Sequence, residues 1–448
     1  MDNVNNWLNR SCRRDSYSTI SVMALSAFLT VLVVTAGCRK KETITEAEEA
    51  VPLDMGYLLD NREMQVLGEL IFFDENLSEP PGQSCATCHG AEAGWSGPDD
   101  KINRETAIYP GAVAERFSNR KPPSAAYATF SPQLHAMVED GGILFVGGNF
   151  WDGRATGYIL GNAAADQAQQ PFLNNLEQNL PDAPAVVARV KNSAYANLFA
   201  KVAADIWKID DILTSDDVNL QFGIVGLAIA AFEHSPKVNA FTSKFDYYLK
   251  GEAELTDQEM LGMDLFINKG LCAECHPIDI LPDGTHPLFT DFTYDNLGIP
   301  ANPKNPWYRM GRQFNPDGAA WVDPGLGDFL KKMPQYAMYA GENMGKHRVP
   351  TLRNVDKRPY PEFFKAYGHN GYFGSLEEIV HFYNTRDVLP LCSDVADPQP
   401  GVNCWPAPEV AANVNTDELG DLKLTPEEEA AIVAFMKTLS DGYVPAKR

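Results

Sequence analysis

Cys85-Ala86-Thr87-Cys88-His89 and Cys272-Ala273-Glu274-Cys275-His276 decide how this chain is read. Both have the Cys-x-x-Cys-His spacing of covalent haem attachment, in which two thiols add across the porphyrin vinyl groups and the next histidine reaches the iron. A structural zinc site usually draws its two cysteine pairs from nearby sequence, whereas these start 187 positions apart. A redox dithiol needs no histidine directly after its second cysteine, and here both motifs carry one. Cys85, Cys88, Cys272 and Cys275 are therefore expected to hold two haem c groups, with His89 and His276 as iron ligands.

The sequence before each motif follows one plan. Glu63 to Phe73 places apolar residues at helical spacing, and so does Glu259 to Phe266. The second stretch opens with Thr256-Asp257-Gln258-Glu259, a capping box. Such duplication predicts two similar domains. A third capping box, Thr425-Pro426-Glu427-Glu428, opens a helix whose apolar face carries Ile432, Val433, Phe435, Met436 and Leu439. Gly/Pro-rich loops occupy 276–350 and 385–425, and strand-like alternation is scarce. The expected fold is mainly α with long irregular loops. Cys392 and Cys404 share one of these loops and are expected to form a disulfide.

Arg10, Arg13 and Arg14 precede an uncharged run from Ser16 to Cys38 with an apolar centre, Ile20 to Val34. This predicts an export signal over 1–37. The run ends Thr35-Ala36-Gly37-Cys38, similar to a bacterial lipoprotein cleavage box except for Thr35. Cleavage there removes Cys12, leaves Cys38 as the lipid-bearing anchor to a membrane surface, and makes 38–54 a tether. A simple secretory signal or an uncleaved anchor is the alternative. The 448 residues suffice for two or three domains, and 44% hydrophobic content excludes a wholly disordered chain. Acidic residues outnumber basic ones by 60 to 37, a net charge of −23, which argues against nucleic acid and suits a basic protein or a small molecule.

Two haem motifs flanking Phe150-Trp151-Asp152-Gly153-Arg154-Ala155 resemble the bacterial di-haem cytochrome c peroxidase and MauG family. Further matches are Leu77-Ser78, Gln167-Ala168 with Pro171, Asn174 and Glu177, the run Val349 to Val355, and His369-Asn370-Gly371. The resemblance covers about residues 55–443. It implies two cytochrome c-like domains whose haems face the domain interface: a peroxide-reacting domain over 55–215 and an electron-transfer domain over 216–448, whose last helix is expected to pack back on the first. It also implies roles. Glu177 and Gln167 match the distal catalytic pair, and Trp151 matches a tryptophan that relays electrons between the haems. From spacing alone, Glu177 reads as an ordinary helix-surface glutamate, and the Trp151 position is also compatible with a core residue.

The pattern departs from the peroxidases in three places. No histidine lies between Gly90 and Leu134, where many of them carry a removable iron ligand, and His135 is the nearest competitor. Fourteen residues after His369, where they supply methionine, stands Tyr383, as in MauG. Tyr383 is thus the expected ligand of the second iron, with Met333, Met338, Met344, His347 and His381 as alternatives. Lys121 replaces the asparagine that holds calcium in the family, so calcium rests only on backbone carbonyls such as those near Pro359. The resemblance implies a periplasmic enzyme that reduces hydrogen peroxide with electrons from a small donor protein. The alternative is a MauG-like oxidase acting on a partner protein. A simple electron-transfer cytochrome is the third reading, and a homodimer is left open.

Overall fold

The computed structural model describes residues 54–139 and 142–446. The expected signal, Cys38 and all but the last residue of the tether lie outside the described residues. Seven helices of nine or more residues form the frame: α1 (Arg62–Phe72), α2 (Ala183–Lys191), α3 (Ala196–Trp207), α4 (Val218–His234), α5 (Asp257–Ile267), α6 (Leu376–Thr385) and α7 (Pro426–Lys437). Strands are few. A hairpin pairs β1 (His135–Glu139) with β2 (Gly142–Val146), and two short strands, β3 (Tyr294–Asp295) and β4 (His347–Arg348), pair antiparallel. The mainly α expectation holds.

The internal duplication is visible in how the helices cross. Asn61 caps α1 by accepting from the Glu63 and Met64 amides, and Met64, Leu67, Ile71 and Phe72 form its buried stripe. That stripe lies against α4, which is buried all round from Gln221 to Glu233. The contact is backbone-close: a Cβ on Gly68 would lie 1.8 Å from the Ala228 oxygen and 2.9 Å from Phe232 Cβ. The α5–α7 pair repeats it, with a Gly262 Cβ 1.9 Å from the Ala431 oxygen and 3.0 Å from Phe435 Cβ. Only glycine permits such an approach. The expected capping boxes open both α5 and α7.

Each pair anchors its own core. Phe72, Trp95 and Phe232 meet in the first, and Phe245, Phe266, Phe289 and Phe435 in the second. Two expectations are corrected here. The first core extends past residue 215, because it is α4 that covers α1. The last helix, α7, packs on α5 in the second core rather than back on the first. The chain beyond α7 makes the return contact instead, where Asp441 accepts from the Tyr127 hydroxyl at 2.7 Å.

A third, smaller cluster joins the hairpin to the 276–350 segment through Leu134, Phe145, Tyr294, Leu326 and Leu330. Within the second half, Arg353 and Asp246 form a fully buried ion pair at 2.9 Å, and Tyr127 and Phe241 of the first core lie over the guanidinium at 4.9 and 4.4 Å. Cys392 and Cys404 form the expected disulfide.

Candidate active site

Each motif is a single helical turn, Cys85–Cys88 and Cys272–Cys275, ending at its histidine. His89 Nδ1 faces the Trp95 carbonyl at 3.2 Å, and His276 Nδ1 faces the Phe289 carbonyl at 2.8 Å. An Nδ1–H donated to a carbonyl fixes the tautomer and leaves Nε2 as a lone-pair donor. Burial pushes both imidazoles down to about 4, so they stay neutral. It pushes all four thiols up, Cys88 and Cys272 to about 12. Each motif lines its own cavity. This donor set fits a covalently held haem in each, with Cys85, Cys88 and His89 holding one and Cys272, Cys275 and His276 the other.

Glu177 and Gln167 line the first cavity together with Cys85, Cys88 and His89. Burial pushes Glu177 up, an effect that Arg154 and a hydrogen bond with Asn174 oppose. Arg154 is held between the Asp152 carboxylate at 2.9 Å and the Phe150 ring at 3.6 Å. Among the described residues no histidine but His89 lines this cavity. His135 lies elsewhere, its Nδ1 turned to the Gln133 carbonyl at 2.8 Å. Sequence reading missed Glu233, a further carboxylate facing the same space, which burial pushes up to about 8. Its one sequence signal was a lone acid in the apolar run of α4.

Trp151 lines both cavities. Its Nε1–H donates to the Lys121 carbonyl at 2.9 Å, and its own carbonyl accepts from the Arg348 amide at 2.8 Å. The ring is thus held by backbone from either half. Lys121, at the position of the family's calcium-binding asparagine, points its ammonium at the Pro122 carbonyl at 3.2 Å and lies 5.9 Å from the Trp151 ring. Burial lowers it to about 8.

Tyr383, on α6, lines the second cavity. Burial pushes its phenol well up, and the neighbouring Cys272 and Cys275 add to the shift, which places the ring beside the motif. Of the alternatives only His347 lines this cavity. Met338 is 79% exposed, Met333 packs in the third cluster, Met344 packs on Gly327, and His381 faces Glu429 at 3.0 Å.

Residues 62–254 match the family model described as di-haem cytochrome c peroxidase. The methylamine utilization protein MauG of Paracoccus denitrificans is 30% identical over 425 residues, covering 94% of this chain and 95% of its own. Cytochrome c551 peroxidase of Nitrosomonas europaea is 27% identical over 366 residues, covering 81% and 83%. Among solved structures, the diheme peroxidase BthA of Burkholderia thailandensis superposes with a TM-score of 0.66 at 26% identity, covering 85% of this chain and 86% of its own. With two haem-binding cavities facing one tryptophan and relatives matched along nearly its whole length, the chain belongs to the di-haem cytochrome c peroxidase and MauG family of oxidoreductases acting on peroxide.

Proposed function

We propose that the protein reduces hydrogen peroxide to water in the first cavity, with electrons reaching it from a small redox protein through the second cavity and Trp151. One peroxide, two electrons and two protons give two waters. When bound, the haems supply the iron that takes up peroxide and the sites that carry the electrons. Glu177 takes a proton from the peroxide oxygen that binds and returns it to the oxygen that departs, a task for one positioned carboxylate whose pKa lies above the usual range. The Gln167 carboxamide orients the peroxide by hydrogen bonding. Trp151, clamped at both ends, relays electrons between the halves. The observation that carries this reading is the opening of Glu177 and Gln167 into the cavity of Cys85, Cys88 and His89, with no further histidine there.

Tyr383 beside Cys272 and Cys275 favours a second reading, a MauG-like oxidase. A hard phenolate ligand stabilises higher oxidation states of iron. The electrons then come from residues of a partner protein, passed through Trp151. One experiment separates the two. The di-haem protein is mixed with peroxide, with and without a reduced cytochrome. Rapid catalytic oxidation of the donor supports the peroxidase. A two-electron-oxidised protein that persists with negligible donor turnover supports the oxidase. If neither haem spectrum responds, both readings fail.

In either reading the protein works after export, in the periplasm, anchored through Cys38. Calcium, where it binds, rests on backbone carbonyls such as those near Pro359, because Lys121 replaces the side chain that would help to hold it. A homodimer remains compatible with both.

A further inference from the structure

Arg154 and Glu177 line the same cavity, yet among the described residues the ion pair of Arg154 is with Asp152, not with Glu177. Arg154 Nη1 donates to both Asp152 oxygens, at 2.9 and 3.0 Å, and the guanidinium lies over the Phe150 ring at 3.6 Å. Asp152 Oδ1 also accepts from the Arg154 backbone amide at 3.3 Å, which ties the carboxylate to the chain that carries the arginine.

Asp152 is held from its other side as well. Arg120 Nη1 donates to its Oδ2 at 2.6 Å, while Arg120 Nε and Nη2 grip the two Asp323 oxygens at 2.7 and 2.6 Å. Charges thus alternate along Asp323, Arg120, Asp152 and Arg154, and no net charge remains. The side chains of the first three are 2–14% exposed, whereas that of Arg154 is 35% exposed and faces the cavity. Asp323 belongs to the second half, so the chain of charges is complete only across the interface.

A guanidinium facing the same space as a buried carboxylate closes on it unless something restrains it, because opposite charges attract strongly where water is scarce. Lys121, Arg348 and Glu233 face this space too, as do His89 and Tyr109, but Arg154 is the one whose charge lowers Glu177. Contact with an opposite charge lowers a carboxyl pKa by about 1–3 units. In such contact Glu177 would be too weak a base to take the first proton from peroxide.

We propose that Asp152 is a positioning residue that keeps Arg154 from closing on Glu177, so that the glutamate can both take and give a proton. Arg120, fixed by Asp323 of the second half, holds Asp152 to this task. The inference rests on the reading of Glu177 as the proton-transfer group.

The test follows Glu177 in the holoprotein by pH-titrated infrared difference spectra, with Glu177→Gln as the reference that lacks its carboxyl band. Asp152→Asn is expected to lower the titration midpoint by about 1–3 units, and Arg154→Gln to raise it. The Asp152→Asn/Arg154→Gln variant is expected to return the midpoint to the wild-type value or above, which a merely structural loss at Asp152 would not do. The acid limb of kcat/KM for peroxide is expected to move in the same order. Haem absorption spectra check that each variant is folded. An unmoved midpoint in Asp152→Asn, a midpoint still lowered in the double variant, or a crystal structure of Asp152→Asn with the guanidinium still over Phe150 overturns the proposal. If the midpoints move as expected but the acid limbs do not, the restraint stands and Glu177 leaves the mechanism instead.

Discussion

Glu177 and Glu233 are both carboxylates of the first cavity, but their settings differ. Glu177 has Arg154 and Asn174 to oppose the upward push of burial, whereas Glu233 has burial alone. A group that must both take and give a proton needs the first setting. Glu177→Gln is expected to lower kcat/KM for peroxide by about 10²–10⁴-fold. Stopped-flow kinetics equal to wild type would remove Glu177 from the mechanism. Tyr383→Phe is expected to shift the absorption spectrum of the second haem, and an unshifted spectrum would exclude ligation. The haem-attachment residues were legible in the sequence because their chemistry is contiguous: thiols and imidazole come from five consecutive positions. Glu177 and Gln167 were legible only through family resemblance. Glu233 was not, since nothing local distinguishes a buried acid facing a cavity from one facing solvent.

At the scale of elements, the glycine crossings carry the architecture. Ala at position 68 or 262 would drive its Cβ into a backbone oxygen that cannot rotate aside. The helices must part, so each variant is expected to lose more than the roughly 1–3 kcal/mol of ordinary overpacking. Circular-dichroism melts of Gly68→Ala and Gly262→Ala measure this, and a midpoint equal to wild type would show that the close approach is dispensable. The helices themselves were readable, since α1, α5 and α7 announce themselves by apolar spacing and, for α5 and α7, by capping boxes. Their partners were not. That α4 belongs to the first core, and that α7 covers α5, depends on tertiary packing between helices far apart in sequence. The β1–β2 hairpin escaped for another reason: Met137 and Val138 sit exposed on it, which blurs the alternation that marks a half-buried strand.

For the molecule as a whole, the Arg353–Asp246 pair fixes the second half beneath Tyr127 of the first core and makes that packing sensitive to acid. Burial alone would raise the Asp246 carboxyl, but Arg353, Ser243 and His286 together hold it well below the usual range. A carboxylate whose folded pKa is depressed adds stability above its unfolded value of about 3.9, and that stability fades as pH falls below it. Urea unfolding is therefore expected to show stability falling below about pH 4. Arg353→Met strands a buried charge and is expected to cost about 3–5 kcal/mol at neutral pH, part of it restored by adding Asp246→Asn. If Arg353→Met unfolds at the wild-type urea concentration, the ion pair is not structural. The net charge of −23 acts at longer range. Turnover with a basic cytochrome is expected to fall as ionic strength rises, because salt screens the docking field, and a flat salt profile would exclude electrostatic capture of the donor.

The two glycine crossings also bear on how the protein is made. Gly68 meets Ala228, and Gly262 meets Ala431, so each core closes only when segments about 160 to 170 residues apart have found each other. Contacts of such long range form late, because loop-closure entropy is lost before burial returns it. In an unfinished chain Cys85 and Cys272 are therefore still exposed when the helices beside them have formed. The interval between local helix formation and core closure is the time in which the porphyrin can be stitched to its thiols. Slow closure of the two cores thus leaves each motif reachable for longer than its own local helix would.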